Sequence, residues 1–386
     1  MIFARAVTSS PGGPPAASGH FRARRLLWPV HALRACRHLC VVCCAYVLLL
    51  GSSGIAVADP PPRLRLSFQL PLAGSLGVNL VRFKEAVARD TGNAVAIEIL
   101  HGKQALPDRT VAKAVMAGEI EMATANVVTL ADQVKGVDIL SLPFLFNSHP
   151  FLRAMLDRSR RSRKLLDDAI LETGARVLMW QPYGTNVFFS KGGPVLKPGD
   201  IAAKKIRASG EIDHEFAGAC RGVPQMLAAG AQYEAMKTGR IDMAMTSAEN
   251  VSARRFWEIS DTITRTNHSP VMLLLLVNEK VWQSLRPEHR AAIAKATQEA
   301  EHELWDGIVK VDEEANAFAR SKGITVAQLS SFDLAEWRAC SAPVVERFMA
   351  TSGPLGNELL KEYGLMRTDP CCNQTPDVNG VGYRPF

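Results

Sequence analysis

The feature that most constrains this chain is an alternation of short apolar strands with amphipathic helices, which occurs in two successive stretches. In the first stretch, strands are predicted over 64–68, 95–100 and 121–125, with helices over 78–89 and 109–117 between them. Strands that alternate with helices in this way are typical of βαβ units. The first stretch therefore predicts an α/β lobe with a largely parallel sheet.

The alternation returns in the second stretch. Short strands are predicted over 176–180, 187–190, 205–208 and 241–246. The run VMLLLLV over 271–277 is continuously apolar, which predicts a strand buried on both faces. A chain of 386 residues is long enough for two domains with separate cores, so we predict two α/β lobes.

After the last predicted strand the chain becomes strongly helical. One helix is predicted from Pro287 to about Lys322, and its apolar residues recur by threes and fours. They are Ile293, Ala296, Ala300, Leu304, Ile308 and Val311. A helix of this length is predicted to brace both lobes. The segment 369–386, with its Pro, Asn and Gly, is predicted to be a loose tail.

The N-terminal segment 1–58 has the three parts of a cleavable secretory signal peptide. Five arginines lie between Arg22 and Arg37, an apolar run of 12 residues covers 39–50, and Ala56-Val57-Ala58 has the A-x-A pattern of a cleavage site. The apolar run is shorter than the roughly 20 residues that span a bilayer. A buried helix or a membrane anchor is the alternative, and the choice between general secretory and twin-arginine export stays open.

The basic charge of the chain belongs to this leader. Of 45 basic residues, six arginines lie within 1–58, which holds no acidic residue. The remaining 39 stand against 38 acidic residues, so the net charge falls from +7 to +1. A chain so nearly neutral lacks the long-range field that nucleic acids attract, and we expect no nucleic-acid partner.

Four cysteines follow the leader, at positions 220, 340, 371 and 372. Export would place them in an oxidising compartment where disulfides persist. One candidate bridge joins Cys340 to Cys371 or Cys372, but sequence alone leaves the pairing open. The spacing of Cys and His residues does not fit a tetrahedral metal site, so we predict no metal and no cofactor.

Exported enzymes form the main rival class, but the chain lacks their motifs. It has no G-x-S-x-G, no H-E-x-x-H and no P-loop. His214-Glu215 and His302-Glu303 have no second histidine at zinc-binding spacing, and Asp167-Asp168 is typical of a solvated helix face. The sequence therefore predicts a protein that is not an enzyme.

Five short motifs occur in a characteristic order along the chain. They are GKQAL with Asp108-Arg109, LPFLF over 142–146, KKIR over 204–207, YEAMKTGRID over 233–242, and Thr266-Asn267-His268. Together they resemble the DctP-type substrate-binding proteins of tripartite ATP-independent periplasmic (TRAP) transporters, solute-binding protein family 7. The resemblance runs from Leu64 to about Phe348, nearly the whole chain after the leader.

The resemblance implies a periplasmic binding protein fold of type II-like form, with two lobes joined by crossover strands and a long bridging helix. The first lobe would comprise 59–181 with 272–311, and the second 182–271 with 312–368. The ligand would lie in the cleft, which closes about a hinge. The implied partners are a small organic acid and the small and large membrane subunits of a TRAP transporter, and we expect a monomer in the periplasm.

By resemblance, Arg207 would hold the ligand carboxylate, because a guanidinium donates two parallel hydrogen bonds. Gln69, Asn126 and Trp180 follow as cleft residues from matched positions at strand ends, where ligands of open α/β sheets bind. Trp180 and Tyr183 would stack on the ligand, with core packing as the alternative. Asn267-His268 would fix a hinge loop, and Phe144 and Phe146 are predicted to be core.

Three positions depart from the family pattern. Asn186 stands where many members carry a second arginine, Ala231 replaces an acid, and Thr246 replaces an asparagine. One fixed positive charge favours a monocarboxylate, or a second polar end that is not fully ionised. The alternatives are a C4-dicarboxylate-binding member of the same family and an ABC-type binding protein.

Overall fold

The computed structural model describes residues 62–146 and 148–368, which belong to one compact unit. The predicted signal peptide, the C-terminal tail, Cys371 and Cys372 lie outside the described residues. No helix within the described ranges is long and apolar enough to cross a membrane.

Ten strands and eleven α-helices are described. The strands are β1 (Arg63–Phe68), β2 (Ala96–His101), β3 (Met122–Asn126), β4 (Ala175–Ser190), β5 (Lys205–Ala208), β6 (Val223–Met226), β7 (Met243–Ser247), β8 (Thr262–Arg265), β9 (Pro270–Asn278) and β10 (Thr325–Gln328). The helices are α1 (Ser75–Asp90), α2 (Val111–Ala117), α3 (His149–Met155), α4 (Arg161–Leu171), α5 (Glu211–Ala219), α6 (Gln232–Lys237), α7 (Asn250–Ala253), α8 (Glu279–Ser284), α9 (Pro287–Ser321), α10 (Ser331–Thr351) and α11 (Gly353–Thr368).

The strands form two sheet regions that share β4. The first has the order β2-β1-β3-β9-β4, in which β1 runs parallel to β2 and β3 while β9 is antiparallel to both neighbours. The second has the order β4-β7-β5-β6, with β8 also on β4 and β10 on β8. The α/β class and the two-lobed periplasmic binding fold are therefore confirmed.

Strand β4 is the crossover between the lobes, and here the sequence prediction was wrong. Segments 176–180 and 187–190 were predicted as separate strands, but they are the two ends of one strand of 16 residues. Its first part pairs with β9, and from Asn186 onward it pairs with β7. The register shifts near Gly184, whose φ of +81° suits a residue without a Cβ.

The long helix matches its prediction closely. Helix α9 has 35 residues, begins at Pro287 and buries the predicted apolar face from Ile293 to Ile308. It packs against α1 and β4 near the first sheet region, and against α7 and β10 near the second. It therefore braces both lobes. The exact lobe boundaries stay a prediction.

Strand β9 shows why its sequence is apolar throughout. Leu274 and Leu276 belong to the core on one face of the sheet, and Leu273 and Leu275 to the core on the other. Because side chains of a strand alternate between faces, a strand covered on both sides needs apolar residues at every position. The prediction of a strand buried on both faces is confirmed over 272–277, while Val271 is half-buried.

A disulfide joins the end of α5 to α10. Cys220 bonds Cys340, with their Cα atoms 5.3 Å apart. The candidate bridge from Cys340 to Cys371 or Cys372 is therefore wrong. The two partners are 120 residues apart in sequence, and only the packing of α5 against α10 brings them together.

We expect the double variant Cys220→Ala/Cys340→Ala to lower the free energy of unfolding by about 2–4 kcal/mol, because the bridge closes a long loop of the unfolded chain. Denaturant unfolding with and without reductant measures the loss, and the variant should respond much less to reductant than the wild type. Peptide mapping that recovers Cys340 joined to another cysteine would contradict the assignment.

Candidate functional site

A cavity lies where the two sheet regions meet at the crossover. It encloses about 530 Å³ of empty space, including the part that opens to solvent. Its lining residues are Gln69, Leu70, Asp108, Asn126, Tyr183, Asn186, Arg207, Ser209, Ala229, Thr246, Asn250, Arg254, Val271 and Leu273. Six of the seven residues predicted for the site are among them.

The carboxyl ends of the strands build most of this cavity. Gln69 directly follows β1, Asn126 ends β3, Ser209 follows β5 and Asn250 follows β7. Parallel strands present these ends at one edge of a sheet, where the helices that follow leave a crevice. The position of the cavity therefore follows from the order of strands and helices that the sequence predicts.

Arg207 is held between the strands on either side of β5. Its Nε donates to the carbonyl of Leu227 after β6 (3.0 Å), and its Nη1 donates to the carbonyl of Met245 in β7 (3.0 Å). The side chain is buried and forms no ion pair within the described part of the chain. Burial lowers the pKa of Arg207 to about 10, with Asp213 and Asp108 opposing the shift, so the group stays charged at neutral pH.

Two further charged residues line the cavity, and the sequence prediction missed both. Arg254 caps the C-terminus of α7, and Asp108 precedes α2. Burial lowers the pKa of Arg254, although a guanidinium remains protonated at any physiological pH. The premise of a single fixed positive charge was therefore wrong, since Arg207 is joined by a second cation and by one anion.

Neutral side chains that are hydrogen-bonded to one another also line the cavity. The Tyr183 hydroxyl donates to Asn250 Oδ1 (3.2 Å), and Asn250 Nδ2 donates to Thr246 Oγ1 (2.7 Å). On the other side of β4, Asn186 Nδ2 donates to Ser269 Oγ (2.9 Å). Burial raises the pKa of Tyr183, which keeps its hydroxyl neutral. Asn250, missed in the sequence, stands three residues beyond a strand end.

The remaining predicted residues at strand ends also make local hydrogen bonds. Gln69 Oε1 accepts from Thr124 Oγ1 (3.2 Å), while Asn126 Oδ1 accepts from the backbone N–H of Val128 (3.2 Å). Both amide groups keep part of their hydrogen-bonding capacity for a ligand in the cavity.

Trp180 is not at the cavity, which corrects the prediction. It lies three residues before Tyr183 on β4, but Trp180 packs in the core on one face of the sheet and Tyr183 in the core on the other. Its Nε1 donates to Asp167 Oδ1 (2.9 Å), and the Arg163 guanidinium lies 5.5 Å from its ring. The alternative of core packing therefore describes Trp180.

Hydrogen bonds join the two sheet regions at the cavity and beside it. Ser75 N and Oγ at the start of α1 both donate to the Glu249 carboxylate (2.6 Å each), which follows β7. The Ala229 N–H donates to Asp108 Oδ2 (2.7 Å) and Arg254 Nη2 donates to the Gln69 carbonyl (3.3 Å). The described conformation is therefore closed over the cavity.

The Asn267-His268 segment is buried beside the crossover strand, and its role in fixing a hinge loop stays a prediction. Thr185 Oγ1 donates to Asn267 Oδ1 (2.8 Å), next to the register shift in β4. The His268 ring stacks on Phe216 and is fully buried, which lowers its pKa to about 3 and keeps it neutral. Phe144 and Phe146 are core residues, as predicted.

A larger groove between α1 and α9 is a weaker candidate. It holds about 1310 Å³ and is wide open to solvent. Its exposed charged residues pair with one another at the surface, as Arg82 does with Glu303 and Lys310 with Glu314, and its buried Glu249 already accepts two hydrogen bonds from Ser75. Buried groups that converge on a ligand are the mark of a specific site, and the crossover cavity has them. No metal-binding cluster occurs among residues 62–146 and 148–368.

Two α/β lobes, a shared crossover strand, a long bracing helix and a closed polar cavity define the class of two-lobed solute-binding proteins. The sequence profile of DctP, described as bacterial extracellular solute-binding protein, family 7, matches residues 73–352. The chain belongs to this family, and the resemblance seen in the sequence is confirmed.

Individual relatives are distant but cover most of the chain. The C4-dicarboxylate-binding periplasmic protein DctP of Rhodobacter capsulatus is 23% identical over 306 residues, which are 77% of this chain and 91% of the relative. The solved structure of DctP7 from Bordetella pertussis, an extracytoplasmic solute receptor binding pyroglutamic acid, has 22% identity and a TM-score of 0.74, covering 78% of this chain and 99% of that chain. A TRAP periplasmic solute binding protein from Sulfurospirillum deleyianum, with bound succinate, has 20% identity and a TM-score of 0.72, covering 78% and 98%.

Proposed function

We propose that this protein captures a small organic acid in the periplasm and delivers it to the membrane subunits of a TRAP transporter. The observation that carries the proposal is Arg207, a buried guanidinium at the cavity with no carboxylate partner in the described part of the chain. Burying a cation without a counter-charge costs free energy. A ligand anion that forms charge-assisted hydrogen bonds with the guanidinium would offset this cost. Family membership supports the role in transport.

The balance of charge favours a ligand with one full negative charge. The lining contains two cations, Arg207 and Arg254, and one anion, Asp108, so its net charge is +1. A monocarboxylate would neutralise this site, whereas a dicarboxylate would leave an excess negative charge in a poorly solvated space. The prediction of a monocarboxylate is therefore still supported, but by the net charge of the lining and not by a single positive residue. A relative that binds pyroglutamic acid fits it, and one that binds succinate represents the alternative.

Ligand capture would work by a shift of population between open and closed forms. The hydrogen bonds that join the two sheet regions, such as Ala229 to Asp108 at the cavity and Ser75 to Glu249 beside it, can form only when the lobes meet. A ligand that contacts both lobes adds free energy to the closed form and not to the open one. The closed surface would then be recognised by the membrane subunits.

A thermal-shift screen of organic acids tests the proposed function, because a ligand that binds the native state raises the melting temperature by mass action. The panel should contain monocarboxylates, hydroxy acids, aromatic acids and C4-dicarboxylates. We expect stabilisation by at least one monocarboxylate and no turnover of the bound acid. Absence of any stabilising acid would contradict the proposal, and chemical conversion of the acid would favour an enzyme.

Asp108→Asn tests the charge balance. The amide oxygen can still accept from the Ala229 N–H, but the net charge of the lining rises from +1 to +2. We expect the affinity ratio of succinate to a monocarboxylate to rise about three- to tenfold, because the anion that repels a second carboxylate is gone. Calorimetry with both acids measures the ratio. An unchanged ratio would show that Asp108 does not influence the ligand charge.

A further inference from the structure

Arg254 is positioned unlike a surface arginine. Its Nε is buried and has no hydrogen-bond partner among the described residues, and its Nη2 makes one long hydrogen bond to the Gln69 carbonyl (3.3 Å). The adjacent Arg255 provides a contrast, because it is exposed, pairs with Glu258 and lies over the Trp257 ring. A buried N–H without an acceptor is unfavourable, so Arg254 Nε requires a partner that the protein itself does not supply.

The cavity is the place from which that partner can come. Arg254 and Arg207 line the same space but arise from different elements, the end of α7 and strand β5. Arg207 is fixed on both sides by Leu227 and Met245, whereas Arg254 is fixed at one nitrogen alone. The two guanidinium groups therefore offer two separate points of attachment to one bound molecule.

We propose that Arg254 is a specificity-determining ligand-binding residue whose Nε donates to a second polar group of the acid held by Arg207. The inference rests on the proposed function. Because Nε is a donor, the second group must be an acceptor. Because Asp108 offsets one of the two positive charges, that acceptor is neutral. The ligand class is a monocarboxylate with a nearby hydroxyl, oxo or amide oxygen.

The location of Arg254 also ties this recognition to closure. Its Nη2 reaches the Gln69 carbonyl after β1, while its backbone follows β7 in the other sheet region. An acceptor at Nε would hold the guanidinium in the orientation that makes this crossing contact. An acid without the second group would be held by Arg207 but would not engage Arg254.

Matched pairs of acids test the proposal by calorimetry on the whole protein. Each pair shares one carboxylate and differs in the acceptor: lactate with propionate, and pyroglutamate with cyclopentanecarboxylate. In the wild type we expect the member with the acceptor to bind at least tenfold more tightly in at least one pair. Arg254→Met removes the donors at similar length, and it should reduce that ratio at least fivefold while changing the affinity for the unsubstituted acid less than twofold.

Two further variants make the result decisive. Arg254→Lys keeps the charge without a donor at the Nε position, so its ratio should also fall at least threefold, even if the Met variant does not fold. Arg255→Met, the exposed neighbour, should leave the ratio unchanged. A ratio near one in the wild type, an unaltered ratio in the Arg254 variants, or equal weakening of both acids would overturn the proposal.

The same measurements separate failure of this inference from failure of the proposed function. If no acid binds the wild type, the function as an acid receptor is wrong and the inference is lost with it. If acids bind the wild type and Arg207→Ala loses them, but the Arg254 variants keep the ratio, the function stands and the inference alone is overturned.

Discussion

Arg207→Ala is expected to weaken the binding of the acid by roughly tenfold or more, which corresponds to at least about 1.4 kcal/mol. The guanidinium is the one cation of the cavity that the strands β6 and β7 hold on both sides, so its geometry needs no adjustment when a carboxylate arrives. Calorimetry with the best acid from the thermal-shift screen measures the loss.

The structure adds a second effect that the sequence did not predict. Without the side chain, the carbonyls of Leu227 and Met245 lose buried donors, so the free energy of unfolding should fall by about 1–3 kcal/mol. Binding must therefore be measured well below the melting temperature of the variant. Arg240→Ala, an exposed arginine of the same lobe, is the matched control and should change neither quantity. An unaltered affinity in Arg207→Ala would remove Arg207 from the site.

Glu301→Ala is expected to lower the free energy of unfolding by about 3–5 kcal/mol. Glu301 lies on the buried face of α9, where its Oε1 accepts from Arg163 Nη1 (2.7 Å) and from the backbone N–H of Trp180 (3.1 Å). Its other oxygen pairs with Arg158. Removal of the carboxylate leaves the Arg163 guanidinium, which is 2% exposed, with Asp167 as its remaining ion-pair partner, and it takes away the acceptor of the Trp180 N–H. Chemical denaturation measures the loss.

Glu299→Ala is the matched control for this prediction. It stands two residues earlier on the same helix, is exposed, and pairs weakly with Lys295 (3.9 Å), so its removal should cost less than about 0.5 kcal/mol. The comparison separates a general effect on helix α9 from the effect of the buried network. Equal stability of the two variants would mean that Glu301 does not anchor the long helix to the crossover strand.

The elements with strong periodicity were predicted well. Helix α9 and strand β9 carry long, regular patterns, and each was predicted within a few residues of its bounds. Strands β6, β8 and β10 have four residues each and were missed, because so short a segment carries only a weak periodic signal, although the equally short β5 was predicted. The break placed in β4 shows a different limit. Pro182 and Gly184 normally end a strand, but two different partner strands carry β4 past them.

Of the residues that line the candidate site, those at the ends of strands were predicted from the sequence more often than those further from a strand end. Gln69 and Asn126 lie at positions that the strand–helix order places at the sheet edge, and Arg207 was identified by resemblance. Trp180 was misplaced because the face of β4 that forms the cavity depends on what covers each side. Arg254 was missed because it follows its strand by seven residues and enters the cavity only through the turn of α7.

The sequence by itself determined the α/β class, the two lobes and the family, because hydrophobic period and motif order are properties of the chain read locally. Only the tertiary structure decided the pairing of Cys220 with Cys340, the opposite faces of Trp180 and Tyr183, and the charges that meet Arg207. These depend on contacts between residues far apart in the chain, which no local pattern records. The alternation of strands and helices thus predicted where a ligand would lie, and the folded cavity decided which groups would meet it.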